Sequence, residues 1–311
     1  MINILYALGP IFLLILIGFA VRKKELIAAS FWEPAEVLTY YIFFPALLLQ
    51  TTSRADMGEL EVGPMAFAIV STIVLVGALA VKAKPLLGID GPSFTSLFQG
   101  SIRFNTYVGI AAASALWGQP GLTLIAIAVS FAVPLVNVLC VIVMETYGDS
   151  PHRTDGLPQA GKLAKAMTRN PLILACVLGL ILNGLDMSLP PILNPLIEIL
   201  ARASLPVGLL CVGAGLHFRA IHEAGKTVIV TNVVKLVAMP LICLACCYAI
   251  GVEGLTRDLC VFFCGLPVAT SSFILARKMG GNAEIMSGII TLTTLCAMVT
   301  LPAILFLLDL L

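Results

Sequence analysis

Residues 99–109 read QGSIRFNTYVG, with an arginine (Arg103) and an asparagine (Asn105) two positions apart inside a long apolar run. A charged side chain at the centre of a bilayer costs about 2.5–3.5 kcal/mol on insertion scales. Whatever offsets that cost decides what the chain is built to do. The rest of the sequence leaves no soluble alternative. Of 311 residues, 59% are hydrophobic and 11% charged, against about 25% charged in soluble domains, and the mean hydropathy is +1.05. Apolar runs of roughly 20 residues, the length a helix needs to cross a bilayer, recur from end to end. Short alternating segments that would build a transmembrane barrel are absent. Composition therefore predicts an all-α polytopic membrane protein.

Hydropathy gives ten spans, near residues 2–21, 34–53, 63–81, 94–116, 122–144, 171–189, 195–216, 227–250, 259–276 and 285–308. The first is followed by Arg22-Lys23-Lys24, whereas a cleavable signal peptide carries its charge ahead of the apolar stretch; it reads as a retained helix. The longest polar connection, Glu145 to Arg169, contains Gly148, Pro151, Gly156 and Pro158. It divides the chain into residues 1–146 and 170–311, joined by a linker at 147–169. Alternate connections hold Arg22, Lys23, Lys24; Lys82, Lys84; Arg153, Lys162, Lys165, Arg169; Arg219, Lys226; and Arg277, Lys278, while the opposite set holds only Arg54 and Arg257. By the positive-inside rule the first set is cytoplasmic, so the central loop is cytoplasmic and both termini lie outside a cell (inner or plasma) membrane.

A shift of 161 residues lays Pro10 on Pro171, Gly18 on Gly179, Pro34 on Pro195 and Pro45 on Pro206. One residue more lays Gly63 on Gly225, Gly118 on Gly280 and Asn105 on Pro267. Each half has an odd number of spans, so the second enters the membrane the opposite way round. Inverted repeats of this kind are built into many secondary transporters.

Asn105 and Pro267 lie near the middles of spans 4 and 9. Pro267, in Cys264-Gly-Leu-Pro-Val-Ala-Thr-Ser-Ser272, cannot donate a backbone hydrogen bond. Gly100 and Gly109 flank Asn105 and weaken the helix there; Pro45 and Pro206 read as further helix-breaking positions. Interrupted spans at matching places in two halves point to a transport site. Where a helix resumes at mid-membrane, its first N–H groups and positive dipole end are open to an anion. Thr106 and Tyr107 after Asn105, and Thr270, Ser271 and Ser272 after Pro267, add polarity at those starts. Arg103 is close by, and Asn137, in Val133-Pro-Leu-Val-Asn137, is a site neighbour or an interhelical hydrogen-bonding group. The substrate expected is a carboxylate.

Lys235, nine residues beyond Lys226, is too deep for easy snorkelling and is a candidate charge or coupling group. Arg202 reads as structural. Glu145, Asp186, Glu198 and Asp309 all fall near span ends, so no buried acid marks a coupling ion, and the choice between H+ and Na+ stays open. Nine cysteines, among them Cys243, Cys246 and Cys247, read as packing residues, since no histidine or second Cys pair completes a metal site. His217 and His222 lack metal-ligand spacing, catalytic motifs are missing, and a net charge of +1 points to no nucleic-acid partner. No cofactor and no enzyme activity are expected.

The tract Phe98-Gln-Gly-Ser-Ile-Arg-Phe-Asn-Thr106, with Phe44-Pro45-Ala46, Val133-Pro-Leu-Val-Asn137 and Leu266-Pro-Val-Ala-Thr-Ser-Ser272, resembles the auxin efflux carrier family, which includes bacterial malonate and malate carriers and plant auxin exporters. The resemblance implies ten helices in two inverted five-helix repeats with broken, crossing helices 4 and 9, akin to the bile-acid sodium symporter and sodium/proton antiporter architecture. It implies a scaffold of helices 1, 2, 6 and 7, dimeric through helices 2 and 7, and a moving transport domain of helices 3–5 and 8–10. The family's crossover asparagine carries over to Asn105; where plant members have a second asparagine, before the helix 9 proline, this chain has Leu266. The function expected is elevator-type secondary transport of small organic anions such as mono- or dicarboxylates or auxin-like acids. A sodium/proton antiporter on the same fold and a membrane receptor or scaffold that binds without transporting are the rival readings.

Overall fold

The computed structural model describes residues 2–55, 62–149, 170–223 and 225–310. They are helical almost throughout, and no strand occurs among them. The helices are α1 (Ile2–Lys23), α2 (Trp32–Leu38), α3 (Phe44–Ser53), α4 (Val62–Leu87), α5 (Gly91–Ile102), α6 (Thr106–Tyr147), α7 (Pro171–Gly184), α8 (Leu193–Ala214), α9 (Phe218–Glu223), α10 (Gly225–Val233), α11 (Met239–Ile250), α12 (Gly254–Cys264), α13 (Ser271–Lys278) and α14 (Ala283–Leu308). Side-chain caps start several of them. Asp90 accepts the Ser93 N–H at the head of α5, Asn170 the Leu172 N–H at α7, and Asn282 the Ile285 N–H at α14. The linker residues 150–169, with their four basic side chains, lie outside the described residues.

Among the described residues, six stretches are long and apolar enough to cross a membrane: 4–23, 62–87, 91–147, 193–214, 225–250 and 283–308. The difference from ten has local causes. Spans 4 and 5 run on as one stretch, bent at Gly118, whose φ of 59° and ψ of −140° no helix adopts. Span 6 is the 14-residue α7. Spans 2 and 9 are divided: α2 and α3 by a π turn at Thr39–Phe43, and span 9 by a non-helical stretch between α12 and α13.

The π turn precedes Pro45, and a second one, Val234–Ala238, precedes Pro240. In both, the backbone N–H at the turn's end reaches back five residues, from Phe44 to Thr39 and from Met239 to Val234. Widening the turn gives the proline ring room beside the carbonyl it would otherwise strike. Pro45 therefore loosens a continuous helical run instead of breaking it, and Pro206 lies inside the uninterrupted α8. Gly100 and Gly109 are likewise helical residues, in α5 and α6. Gly100 serves packing: a Cβ there would lie 2.5 Å from Thr231 Cγ2 and 2.8 Å from Ile289 Cγ2.

Two compact units draw residues from both halves of the chain. Among the described residues, the first comprises 2–55 with Val62, 106–131 and 170–215. Its helices meet through glycines. Gly18 of α1 lies against the Leu210 carbonyl of α8, and Gly179 of α7 lies against the Leu49 carbonyl of α3. Adding 161 to 18 and 49 gives 179 and 210, so one contact occurs twice. The same shift relates Ile15 and Thr52 to Cys176 and Gly213: Thr52 Oγ1 donates to the Cys176 carbonyl at 3.4 Å, and Gly213 lies against the Ile15 carbonyl. The second unit comprises 63–105, 132–149 and the described residues of 216–310. In it α14 packs on α5, α9 and α10, with Gly288 against the Ala220 carbonyl.

Candidate functional site

In the second unit the backbone leaves the helix inside span 4 and again inside span 9. α5 stops at Ile102, Arg103 is extended (φ −82°, ψ 150°), and helix resumes at Thr106. α12 stops at Cys264, and helix resumes at Ser271. These interruptions touch. The Asn105 N–H donates to the Pro267 carbonyl at 2.7 Å, and the rings of Phe104 and Phe263 lie 4.3 Å apart between centroids. Each interruption frees backbone groups that hydrocarbon cannot solvate, and the sequence supplies partners. The Val268 N–H is accepted by Thr293 Oγ1 of α14 at 3.2 Å. The Cys264 carbonyl accepts from Lys235 Nζ at 2.9 Å.

The arginine that opened the question is met by amides. Arg103 Nη2 donates to Asn137 Oδ1 at 2.8 Å and Nη1 to Gln99 Oε1 at 3.2 Å. Those bonds hold the guanidinium half-buried beside the first interruption, one residue from Phe104 and two from Asn105. Asn105 and Lys235 are fully buried. Lys235 Nζ also contacts Met239 Sδ at 3.1 Å and sits 5.1 Å from the Phe104 ring centroid, so it touches both interruptions.

Residues 158–305 match the family described as membrane transport protein. The chain is 26% identical, over 96% of its length and 93% of the relative's, to a provisionally named malonate transporter of Rhizobium meliloti (strain 1021). It is 21% identical to an uncharacterized transporter of Methanothermobacter thermautotrophicus, with 94% of each chain covered. It is 22% identical to auxin efflux carrier component 5 of Arabidopsis thaliana, with 89% of each covered. These similarities join the chain to transporters, an auxin efflux carrier component among them. The matched family and these relatives are transporters, not enzymes.

Within this chain the expected site residues separate. Arg103, Asn105, Asn137, Pro267 and Lys235 are linked through the contacts above. Thr270 and Ser272, at the head of α13, are buried, whereas Ser271 faces outward. Thr106 opens α6 directly after Asn105. Tyr107, next along, packs inside the first unit, its ring 4.5 Å from that of Phe44 and pressed against Gly208, where a Cβ would strike it. Arg202 is exposed and paired with Glu198 one turn away.

Three features were hidden in the sequence. Gln99 reads as one more polar residue, yet it is fully buried, holds Arg103 through Oε1, and keeps an Nε2 without a partner among the described residues. The buried Ser272 Oγ is in the same condition. The α11 thiols of Cys243 and Cys247 meet those of Cys264 and Cys260 on α12, which is the second pair that spacing alone did not reveal. Even so, no group of three or more His, Cys, Asp or Glu among the described residues is arranged to hold a metal ion.

Proposed function

We propose that this protein is a secondary carrier of small organic anions, mono- or dicarboxylates or auxin-like acids, and that the carboxylate binds where the two interrupted spans meet. The carrying observation is the Asn105-to-Pro267 hydrogen bond, which joins two mid-span breaks from opposite halves of the chain. At that place α13 begins, with the positive end of its dipole, and Arg103 adds a guanidinium suited to carboxylates. Asn105 hydrogen-bonds the carboxylate, Thr270 and Ser272 line the head of α13, and Asn137 with Gln99 aims Arg103. The buried Gln99 Nε2 and Ser272 Oγ suit a hydrogen-bonding ligand. The name borne by the Rhizobium relative, which contains malonate, agrees with a carboxylate substrate.

Access alternates by elevator-like displacement of the unit that carries both interruptions. The contacts repeated at a 161-residue shift support an inverted repeat, and the Lys and Arg bias of alternate connections supports termini outside and a cytoplasmic central loop. Uptake into proteoliposomes, measured with a panel of mono- and dicarboxylates, tests the reading. Asn105→Ala abolishes uptake of every accepted anion; full uptake by that variant refutes the site.

A further inference from the structure

Lys235 stands in the π turn that Pro240 imposes between α10 and α11, with no part of it exposed. Its Nζ donates to the carbonyl of Cys264, the last residue of α12. That carbonyl is one of the four that a helix end leaves unpaired, and it carries the negative end of the half-helix dipole. Around the ammonium are Met239, the Phe104 ring and the thiols of Cys243 and Cys264. No carboxylate pairs with it among the described residues, whose two ion pairs are Arg202–Glu198 and Arg257–Asp258.

In carriers with discontinuous helices, half-helix carboxyl ends and unwound carbonyls are where a coupling sodium ion is held. Here the carbonyl at such an end is already bonded to a cation that cannot dissociate. We propose that Lys235 is the resident cation of the second interruption, replacing a bound sodium ion, so that transport runs without sodium. A sodium ion on the same carbonyl would stand beside the ammonium, and like charges at that range in a medium of low dielectric exclude one another. The lysine is also geared to both spans at once, since it bonds the end of α12 and lies over Phe104 of the first interruption. Its positive charge then stays with the protein in every cycle. The inference rests on reading the interruptions as the transport site.

The test uses the full-length protein in liposomes at clamped potential, with radiolabelled malonate as substrate, and the same protein in detergent for melting. Exchanging sodium for choline leaves wild-type uptake within about twofold and wild-type melting unchanged, because an ion without a site stabilises nothing. Lys235→Met keeps the bulk without the charge and lowers uptake at least about tenfold in either salt, a buried cation being costly to keep unless it is used. Lys235→Ala opens the site, so sodium raises its melting temperature. Wild-type uptake that rises about fivefold or more with sodium, wild-type melting that sodium shifts, or Lys235→Met at wild-type rate overturns the proposal. If the wild type carries no carboxylate, the substrate reading fails, and the sodium melting series still decides the role of Lys235.

Discussion

Thr293 and Thr294 are adjacent, fully buried residues of α14 that differ in their hydrogen bonds. Both hydroxyls donate back to their own helix, Thr293 to the Ile289 carbonyl at 2.8 Å and Thr294 to the Ile290 carbonyl at 2.7 Å. Only Thr293 also accepts, at 3.2 Å, from the Val268 N–H in the second interruption. Replacing each by valine keeps the shape and removes the hydroxyl. For Thr294→Val the loss is one helix back-bond, of the size of side-chain hydrogen bonds in membrane proteins, about 0.6 kcal/mol on average. For Thr293→Val the same loss is joined by a buried backbone N–H left without an acceptor, which costs about 1–3 kcal/mol. The difference between the two variants is therefore about 1–2 kcal/mol, placed toward the lower end because the bond is long. Reversible unfolding in mixed micelles, with the two variants side by side, measures it. Thr293→Val also loosens the segment that presents Pro267 to Asn105, so its uptake falls while that of Thr294→Val does not. Equal stability losses, or unimpaired uptake by Thr293→Val, would show that Thr293 does not hold the interruption.

A double-mutant cycle between Arg103→Met and Asn137→Leu gives a coupling energy of about 1.5–3 kcal/mol, the range for a hydrogen bond to a charged group; no coupling would mean that Asn137 does not position the guanidinium. Gly18→Ala and Gly179→Ala each lower the melting temperature through overpacking worth about 1–3 kcal/mol, and by similar amounts, since they occupy one contact repeated at a 161-residue shift. A methyl tolerated at one glycine and not at the other would break that equivalence.

Much of the architecture could be read along the chain because it rests on properties that residues carry individually. Transfer free energy marked the apolar runs, and the missing proline N–H marked Pro267 as a place where helix fails. The same reasoning went astray at Pro45 and Pro206, where a π turn or an intact helix absorbs the proline, and at Gly100 and Gly109, which remain helical. Gly100 is small because Thr231 and Ile289, far along the chain, press upon it. A residue's breaking tendency is local; whether the helix yields depends on what surrounds it.

The fate of the freed polar groups lay outside any local pattern. Arg103 could have been answered by a substrate, by carbonyls or by water, and the fold answers it with Asn137, 34 positions on, and Gln99, one turn back. The Cys264 carbonyl and the Val268 N–H find Lys235 and Thr293, 29 and 25 positions away. Hydropathy is written into each residue and so determines the apolar runs and the membrane setting. Hydrogen bonds act only within about 3 Å, so which donor meets which acceptor was decided when packing brought distant segments to that range.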